Sequence, residues 1–289
     1  MHTRDSDDPP PATLRWVESV LGGRVGGVRM LTGGWSSAVH ALRLESGDAV
    51  RRVVLRRYVT VATAVGRRAV EHEANALALI RGVGVPTPEL LAFDASASHA
   101  DVPALVMSRV KGVHRVCPRT PTGSLDELAA ALVRFQETAP TGADLPPFQP
   151  YPPRSWEPPG WLTDRGAWAE AVAVFDAPPP SPDAALLHRD FHTANVLWTG
   201  AHVSGIVDWQ AACVGPLSVD ASWCSLQLLA RCGPEEATFF RGSWVRQSGR
   251  RFDRWVDIVL LIDLLSGFPP PIRHAAALEA TLKQCLRRA

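Results

Sequence analysis

Between the apolar pairs Leu186-Leu187 and Val196-Leu197 the chain reads His188-Arg189-Asp190-Phe191-His192-Thr193-Ala194-Asn195. Thirteen residues beyond Asn195 an apolar, β-like run, Ile206-Val207, ends in Asp208. Few arrangements constrain a fold so strongly. A carboxylate at Asp190 can accept or orient the proton of an attacking hydroxyl, and an amide oxygen at Asn195 can hold Mg²⁺. The five-residue step lets one loop present both groups to a single γ-phosphate. A second carboxylate at Asp208 completes the coordination of a hard cation and bridges it to phosphate oxygens. Either motif alone is moderately specific, but the two together, in this order and at this separation, are a strong signal.

The stretch fits the catalytic-loop pattern H-R-D-L-x-x-x-N with Phe191 at the leucine position. With Asp208 it resembles the aminoglycoside phosphotransferase/choline kinase-like family, in which Phe-Gly does not follow the second acid; here Trp209-Gln210 follows. The resemblance implies an α+β chain with the two-lobed protein-kinase-like fold: a small antiparallel-sheet N-lobe with one helix, and a larger, mainly helical C-lobe. It implies Asp190 as catalytic base, Asn195 and Asp208 as Mg²⁺ ligands, and ATP as phosphate donor, without selecting between ATP and GTP. Gly215-Pro216 with Asp220 is similar to a family segment whose acid supports the catalytic loop.

The expected N-lobe, residues 1–107, carries the nucleotide, and the C-lobe, residues 108–289, carries the catalytic loop, metal and substrate site. Ala38–Leu44 and Val50–Arg57 read as strands about the turn Ser46-Gly47-Asp48. Gly66–Arg81 reads as a helix stopped by Gly82, and Leu90–Phe93 and Ala104–Val110 as further strands. Leu31-Thr32-Gly33-Gly34-Trp35-Ser36-Ser37 resembles the family's phosphate-covering loop, with Gly34, Ser36 and Ser37 as nucleotide contacts; on its own a Gly-Gly pair is an ordinary turn. Val53-Val54-Leu55-Arg56 matches V-A-I-K with arginine in place of lysine. The chain has only two lysines, Lys111 and Lys283, so no lysine precedes residue 111 to take that place. Arginine keeps the charge and binds phosphate as a fork; the plainer reading is an exposed charge on an alternating strand.

Periodicity selects its partner. Val70, Glu73, Leu77 and Ile80 share one helical face, so Glu73 lies on the apolar side, where an unpaired carboxylate is costly, and Glu71 does not. Pairing Glu73 with Arg56 resolves that cost. By resemblance, Ala104–Val110 enters a hinge in which backbone groups of Ser108 and Val110 meet the adenine and Met107 lines its pocket.

In the C-lobe, Ser124 and Glu127 have the capping-box spacing for a helix to about Thr138. Pro140–Gly160 contains eight prolines and reads as a long loop. Leu217–Cys232, Pro234–Gln247, Phe252–Ser266 and Ile272–Arg288 read as terminal helices.

The net charge of +1 gives no electrostatic footprint for nucleic acid or a membrane surface, and no apolar run is long enough to span a bilayer. Five cysteines without a CxxC pair argue against a disulfide scaffold and for a reducing cytoplasm. From residue 108 onward 18 Asp+Glu balance 18 Lys+Arg, so composition does not favour a polycationic acceptor. The expected partner is a small molecule with a hydroxyl group, an aminoglycoside-like antibiotic, sugar or amino alcohol; nothing in the sequence speaks to oligomeric state. Two other readings use the same residues. In a metal-dependent hydrolase the alternating His188, Asp190 and His192 would hold a cation, but Asn195, Asp208, Arg56 and Glu73 would then be idle. A nucleotide-binding scaffold without activity draws its support from Arg56.

Overall fold

A computed structural model describes residues 8–31, 37–117, 121–153, 155–177, 185–267 and 274–287. The chain divides into two compact units, Met1–Arg81 with Thr87–Val110, and Gly82–Pro86 with Lys111–Ala289.

The first unit opens with helix α1 (Pro11–Leu21), followed by β1 (Arg24–Leu31), β2 (Ala38–Ser46), β3 (Ala49–Arg57), α2 (Thr63–Leu79), β4 (Leu90–Asp94) and β5 (Ala104–Ser108). The five strands form one antiparallel sheet in the order β1-β2-β3-β5-β4. A tight turn joins β2 to β3, with Gly47 at φ 57, a conformation that costs glycine little. Along β3, Val53 and Leu55 point to a core with Leu42, Leu44, Val106 and, from α1, Trp16 and Val17. The alternate residues, Arg52, Val54 and Arg56, therefore face the other way.

The expected single helix of this unit is corrected to two. Helix α1 hides behind a proline-rich start, but Pro11 sits in its first turn, where a missing N–H costs nothing. Its Thr13 hydroxyl donates to Asp101 at 2.7 Å, and Asp101 also accepts Arg57 Nε at 3.0 Å. Strand β1 also goes unread in the sequence, because it is largely exposed and contains Gly26-Gly27, which breaks any alternation.

The second unit contains β6 (Val113–His114), α3 (Pro121–Thr138), α4 (Arg165–Phe175), β7 (Ala185–Leu187), β8 (Val196–Thr199), β9 (His202–Ile206), β10 (Cys213–Gly215), α5 (Ser218–Arg231), α6 (Pro234–Ser248), α7 (Arg254–Gly267) and α8 (Ala275–Arg287). Strand β7 pairs with β10, and β8 lies between β6 and β9. The capping box at Ser124 is not formed: α3 starts earlier, at Pro121, and Ser124 is buried within it. Glu127 instead accepts the Val203 N–H at 3.1 Å and Arg134 at 3.1 Å. Among its described residues the proline-rich segment has no helix, but the Phe148 N–H bonds the Val214 carbonyl at 2.7 Å and Val214 returns a bond to Pro146 at 3.0 Å, tying it to β10.

Cys117 and Cys232 form a disulfide across 115 residues of sequence, while Cys213, Cys224 and Cys285 are buried thiols. The sequence argues against a disulfide scaffold, and the described residues hold one bond that it does not indicate. Spacing rules detect pairs close in sequence, whereas this one forms because the chain after β6 meets the end of α5. Among the described residues no helix is long and apolar enough to cross a membrane.

Candidate active site

Residues 188–195 connect β7 to β8 without regular structure, and their shape is imposed by groups far away in sequence. Asp220, in the first turn of α5, accepts the His188 N–H at 2.8 Å and the Arg189 N–H at 2.7 Å. Arg189 can thus hold φ 70, which side chains disfavour. Burial pushes the Asp220 pKa up, opposed by the N–H groups of His188 and Arg189 and by the Arg189 charge. The Arg189 guanidinium pairs with Asp263 of α7 at 3.0 Å and lies over the rings of Phe148 and Tyr151, 4.8 and 4.5 Å from their centroids.

Each buried N–H left without an acceptor costs roughly 1–3 kcal/mol. Asp220→Ala strands two of them and is expected to lower Tm by about 5 °C or more and to reduce turnover with it. A melting curve showing no change would mean that Asp220 does not hold the loop.

Val207 ties the loop to the second acid. Its N–H donates to the Asn195 carbonyl at 2.9 Å, and its carbonyl lies 2.9 Å from His188 Nε2. The other ring nitrogen, Nδ1, accepts the Asp190 N–H at 3.2 Å. That acceptor role makes Nε2 the protonated nitrogen, which donates to Val207. Both nitrogens are therefore spent on backbone. His188 is buried, with its ring 4.5 Å from that of Trp209. It cannot serve as a metal ligand in this arrangement, which removes one member of the His188, Asp190, His192 hydrolase reading. Among the described residues no group of three or more His, Cys, Asp or Glu side chains could hold a metal ion. Asp208 follows Val207 directly and has φ 73, an uncommon backbone for a side chain larger than glycine.

The Asp190 carboxylate accepts the Trp223 indole N–H at 2.8 Å through Oδ1 and the Asn195 amide N–H at 2.9 Å through Oδ2. His192 Nε2 stands 3.5 Å from Oδ1. Desolvation pushes this carboxyl up, but His192 and then the Trp223 N–H hold it below the usual aspartate range. Asp190 is thus kept ionised, the form able to accept a proton. Asn195 Nδ2 also donates to the Asp190 backbone carbonyl at 2.9 Å. Its nitrogen end is therefore committed to Asp190, and its oxygen is the end suited to a cation. With the Asp208 carboxylate this makes a hard-oxygen donor set of the kind Mg²⁺ prefers.

In the first unit Arg56 Nη1 donates to Glu73 Oε1 at 2.9 Å, and the two side chains are 8% and 1% exposed. Tyr58 donates its hydroxyl to the other oxygen of Glu73 at 3.0 Å, and its pKa is pushed up by burial and then by the Glu73 charge. Glu71, two residues away, is 50% exposed and, among the described residues, paired with Arg67 one turn before it. Met107 is buried on β5 opposite Val54. The Ser108 N–H is bonded to the Glu89 carbonyl at 2.8 Å, so an adenine contact from Ser108 would have to use its carbonyl. Val110 is half-buried and Ser37 is buried; Gly34 and Ser36 lie outside the described residues.

Sequence reasoning did not connect Trp223, Asp263 or Tyr151 to the catalytic loop, nor Tyr58 to Glu73. Nothing local marks them: tryptophan, tyrosine or aspartate on a helix or loop reads as ordinary core or surface until the partner is known.

A family model described as "Phosphotransferase enzyme family" matches residues 27–257. Solved structures share the fold over nearly the whole chain. Aminoglycoside phosphotransferase APH(4)-Ia is 17% identical with a TM-score of 0.61, covering 96% of this chain and 98% of that one. Macrolide 2'-phosphotransferase MphH from Brachybacterium faecium is 15% identical with a TM-score of 0.58, covering 96% and 99%. A putative aminoglycoside phosphotransferase from Ralstonia eutropha is 17% identical with a TM-score of 0.52, covering 95% of each chain. No curated protein sequence matches significantly. The α+β architecture is that of the protein-kinase-like phosphotransferases.

Proposed function

The chain belongs to the phosphotransferase enzyme family, and from that premise we propose that this small-molecule phosphotransferase transfers the γ-phosphate of ATP to a hydroxyl group, with Asp190 as base. The observation that carries the reading is the Asp190 carboxylate, oriented by the Trp223 and Asn195 N–H groups beside His192 on a loop that Val207 ties to Asp208. Asp190 accepts or orients the proton of the acceptor hydroxyl as the oxygen attacks. Asn195 has a double duty, fixing the Asp190 side chain through its nitrogen and offering its oxygen to Mg²⁺ beside Asp208. When bound, the cation would neutralise charge on the phosphate oxygens. Arg56, oriented by Glu73, is assigned to the α/β-phosphates, with Met107, Ser108 and Val110 toward the base and Gly34, Ser36 and Ser37 toward the phosphates.

Support for the donor comes from the APH(4)-Ia structures, solved with ADP or AMP-PNP together with hygromycin B. The acceptor is read as a hydroxylated antibiotic, sugar or amino alcohol. The balanced charge of residues 108–289 gives no preference for a polycation. An ATP-consumption screen across those three classes, with the phosphorylated product identified by mass, tests the reading. Nucleotide-dependent turnover of a hydroxyl substrate supports it, and its absence across all three classes counts against it.

Asp208 provides a sharper check on the metal. Ligand at a hundredfold excess over Kd stabilises a protein by about 2.7 kcal/mol, and a hundredfold weaker site retains only about 0.4 kcal/mol. Asp208→Asn is expected to remove most of the thermal shift produced by ATP·Mg²⁺ and little of that produced by adenosine. Equal losses with both ligands would make Asp208 a fold residue instead.

A further inference from the structure

Arg29, Arg43 and Arg52 lie on the sheet face of the first unit that also presents Arg56, Val54 and Met107, and Arg109 follows the end of β5. Register places the strand residues there. Arg29 of β1 pairs with Ala41, Ala41 with Val54, and Val54 with Met107; one step along the strands, Arg43 pairs with Arg52, and Arg109 lies two residues past Met107, just beyond β5. Arg43 is neutralised by Glu45 on its own strand. Among the described residues no carboxylate pairs with Arg29, Arg52 or Arg109. Arg109 is half-buried, and its guanidinium is pushed below its ordinary value by desolvation and then by the charges of Arg29 and Arg52, so the three are within electrostatic reach.

We propose that Arg29, Arg52 and Arg109 form a second anion site, which takes a small polyanion of the phosphate class bearing at least two charged oxygens. It rests on the nucleotide reading only in being separate from the phosphate role of Arg56. Four residues of strand, about 13 Å, lie between Arg52 and Arg56, too far for one phosphate group to bridge. Like charges gathered without a counter-charge disfavour the free protein, and a multivalent anion removes that repulsion. Guanidinium groups suit it because each binds two oxygens of a phosphate at once. The chain's net charge of +1 makes a small ligand the better match than a nucleic acid.

Calorimetric titration of the full chain at low salt with inorganic tripolyphosphate, and separately with ATP·Mg²⁺, tests this. The double variant Arg52→Ala/Arg109→Ala is expected to weaken tripolyphosphate binding at least about tenfold while holding ATP·Mg²⁺ within about twofold, since each lost charge-assisted contact is strong. Arg56→Ala should do the reverse, and Arg43→Ala neither, because Glu45 already satisfies Arg43. A wild-type chain that does not bind tripolyphosphate, or that binds single-stranded RNA instead, overturns the proposal. So does a double variant of unchanged Tm that keeps full tripolyphosphate affinity, or one that loses both ligands in parallel, which would make the two sites one. ATP·Mg²⁺ binding that survives Arg56→Ala removes the nucleotide assignment alone, because the tripolyphosphate arm is read independently.

Discussion

Asp190→Ala is expected to reduce kcat by about 10²–10⁴-fold and to leave ATP affinity almost unchanged. In the proposed role the carboxylate would act on the acceptor hydroxyl in the transition state and would have little to do with ATP in the ground state. Asp190→Asn should be nearly as damaging for a second reason. Both fixed neighbours of the carboxylate, the Trp223 and Asn195 N–H groups, are donors. An amide presents one acceptor and one further donor, so one of the two bonds must be lost. The sign of the pH dependence follows from the same contacts. A base works only when deprotonated, and this one is held below the usual aspartate range. Activity should therefore persist to lower pH than an unperturbed aspartate allows and fail only as Asp190 protonates. Turnover and nucleotide affinity of both variants, with a wild-type pH–rate profile, check these statements. Near-wild-type turnover in Asp190→Ala would falsify the base assignment.

Arg56→Ala is expected to lose both stability and turnover. Removing one partner of a buried ion pair leaves the other charge uncompensated, at about 3–5 kcal/mol, and Glu73 is 1% exposed. For a chain of this size that is a drop in Tm of about 10 °C. Arg56→Lys should recover part of the activity, because the charge is kept and the fork is not. Glu73→Gln should be far more damaging than Glu71→Gln. The first strips the charge that both Arg56 and Tyr58 address, whereas the second disturbs an exposed pair one helical turn apart, worth about 0.3–0.5 kcal/mol. Melting temperature and turnover of all four variants separate the roles. Equal, small effects at Glu71 and Glu73 would mean that the wrong acid has been paired with Arg56. A silent Arg56→Ala would remove its phosphate role.

Much of this protein is legible in its sequence, because the relevant chemistry and periodicity are local. One loop carries Asp190 and Asn195, and a short step brings Asp208, so their spacing survives as a readable pattern. The same holds for Glu73 over Glu71: the helical repeat of Val70, Leu77 and Ile80 sets which carboxylate is buried, and the structure has Glu73 against Arg56. The hairpin at Gly47, helix α2 and the terminal helices follow from turn residues and hydrophobic period in the same way. Helix α1 and strand β1 do not, since a proline-rich start hides one and an exposed, glycine-bearing run hides the other.

What holds the site in place was decided by tertiary structure alone. Asp220 reaches His188 from 32 positions away, Trp223 reaches Asp190 from 33, and Asp263 reaches Arg189 from 74. Cys117 meets Cys232 across 115. No repeat of 2 or 3.6 residues relates such partners. Each contact exists because packing several helices and strands about one core brings distant segments together, and a buried N–H, indole or guanidinium must then find its acceptor among whatever groups arrive. The sequence determines which residues can do the chemistry; the packed chain determines which carboxylate is ionised, which histidine is already spent, and which way the asparagine amide points.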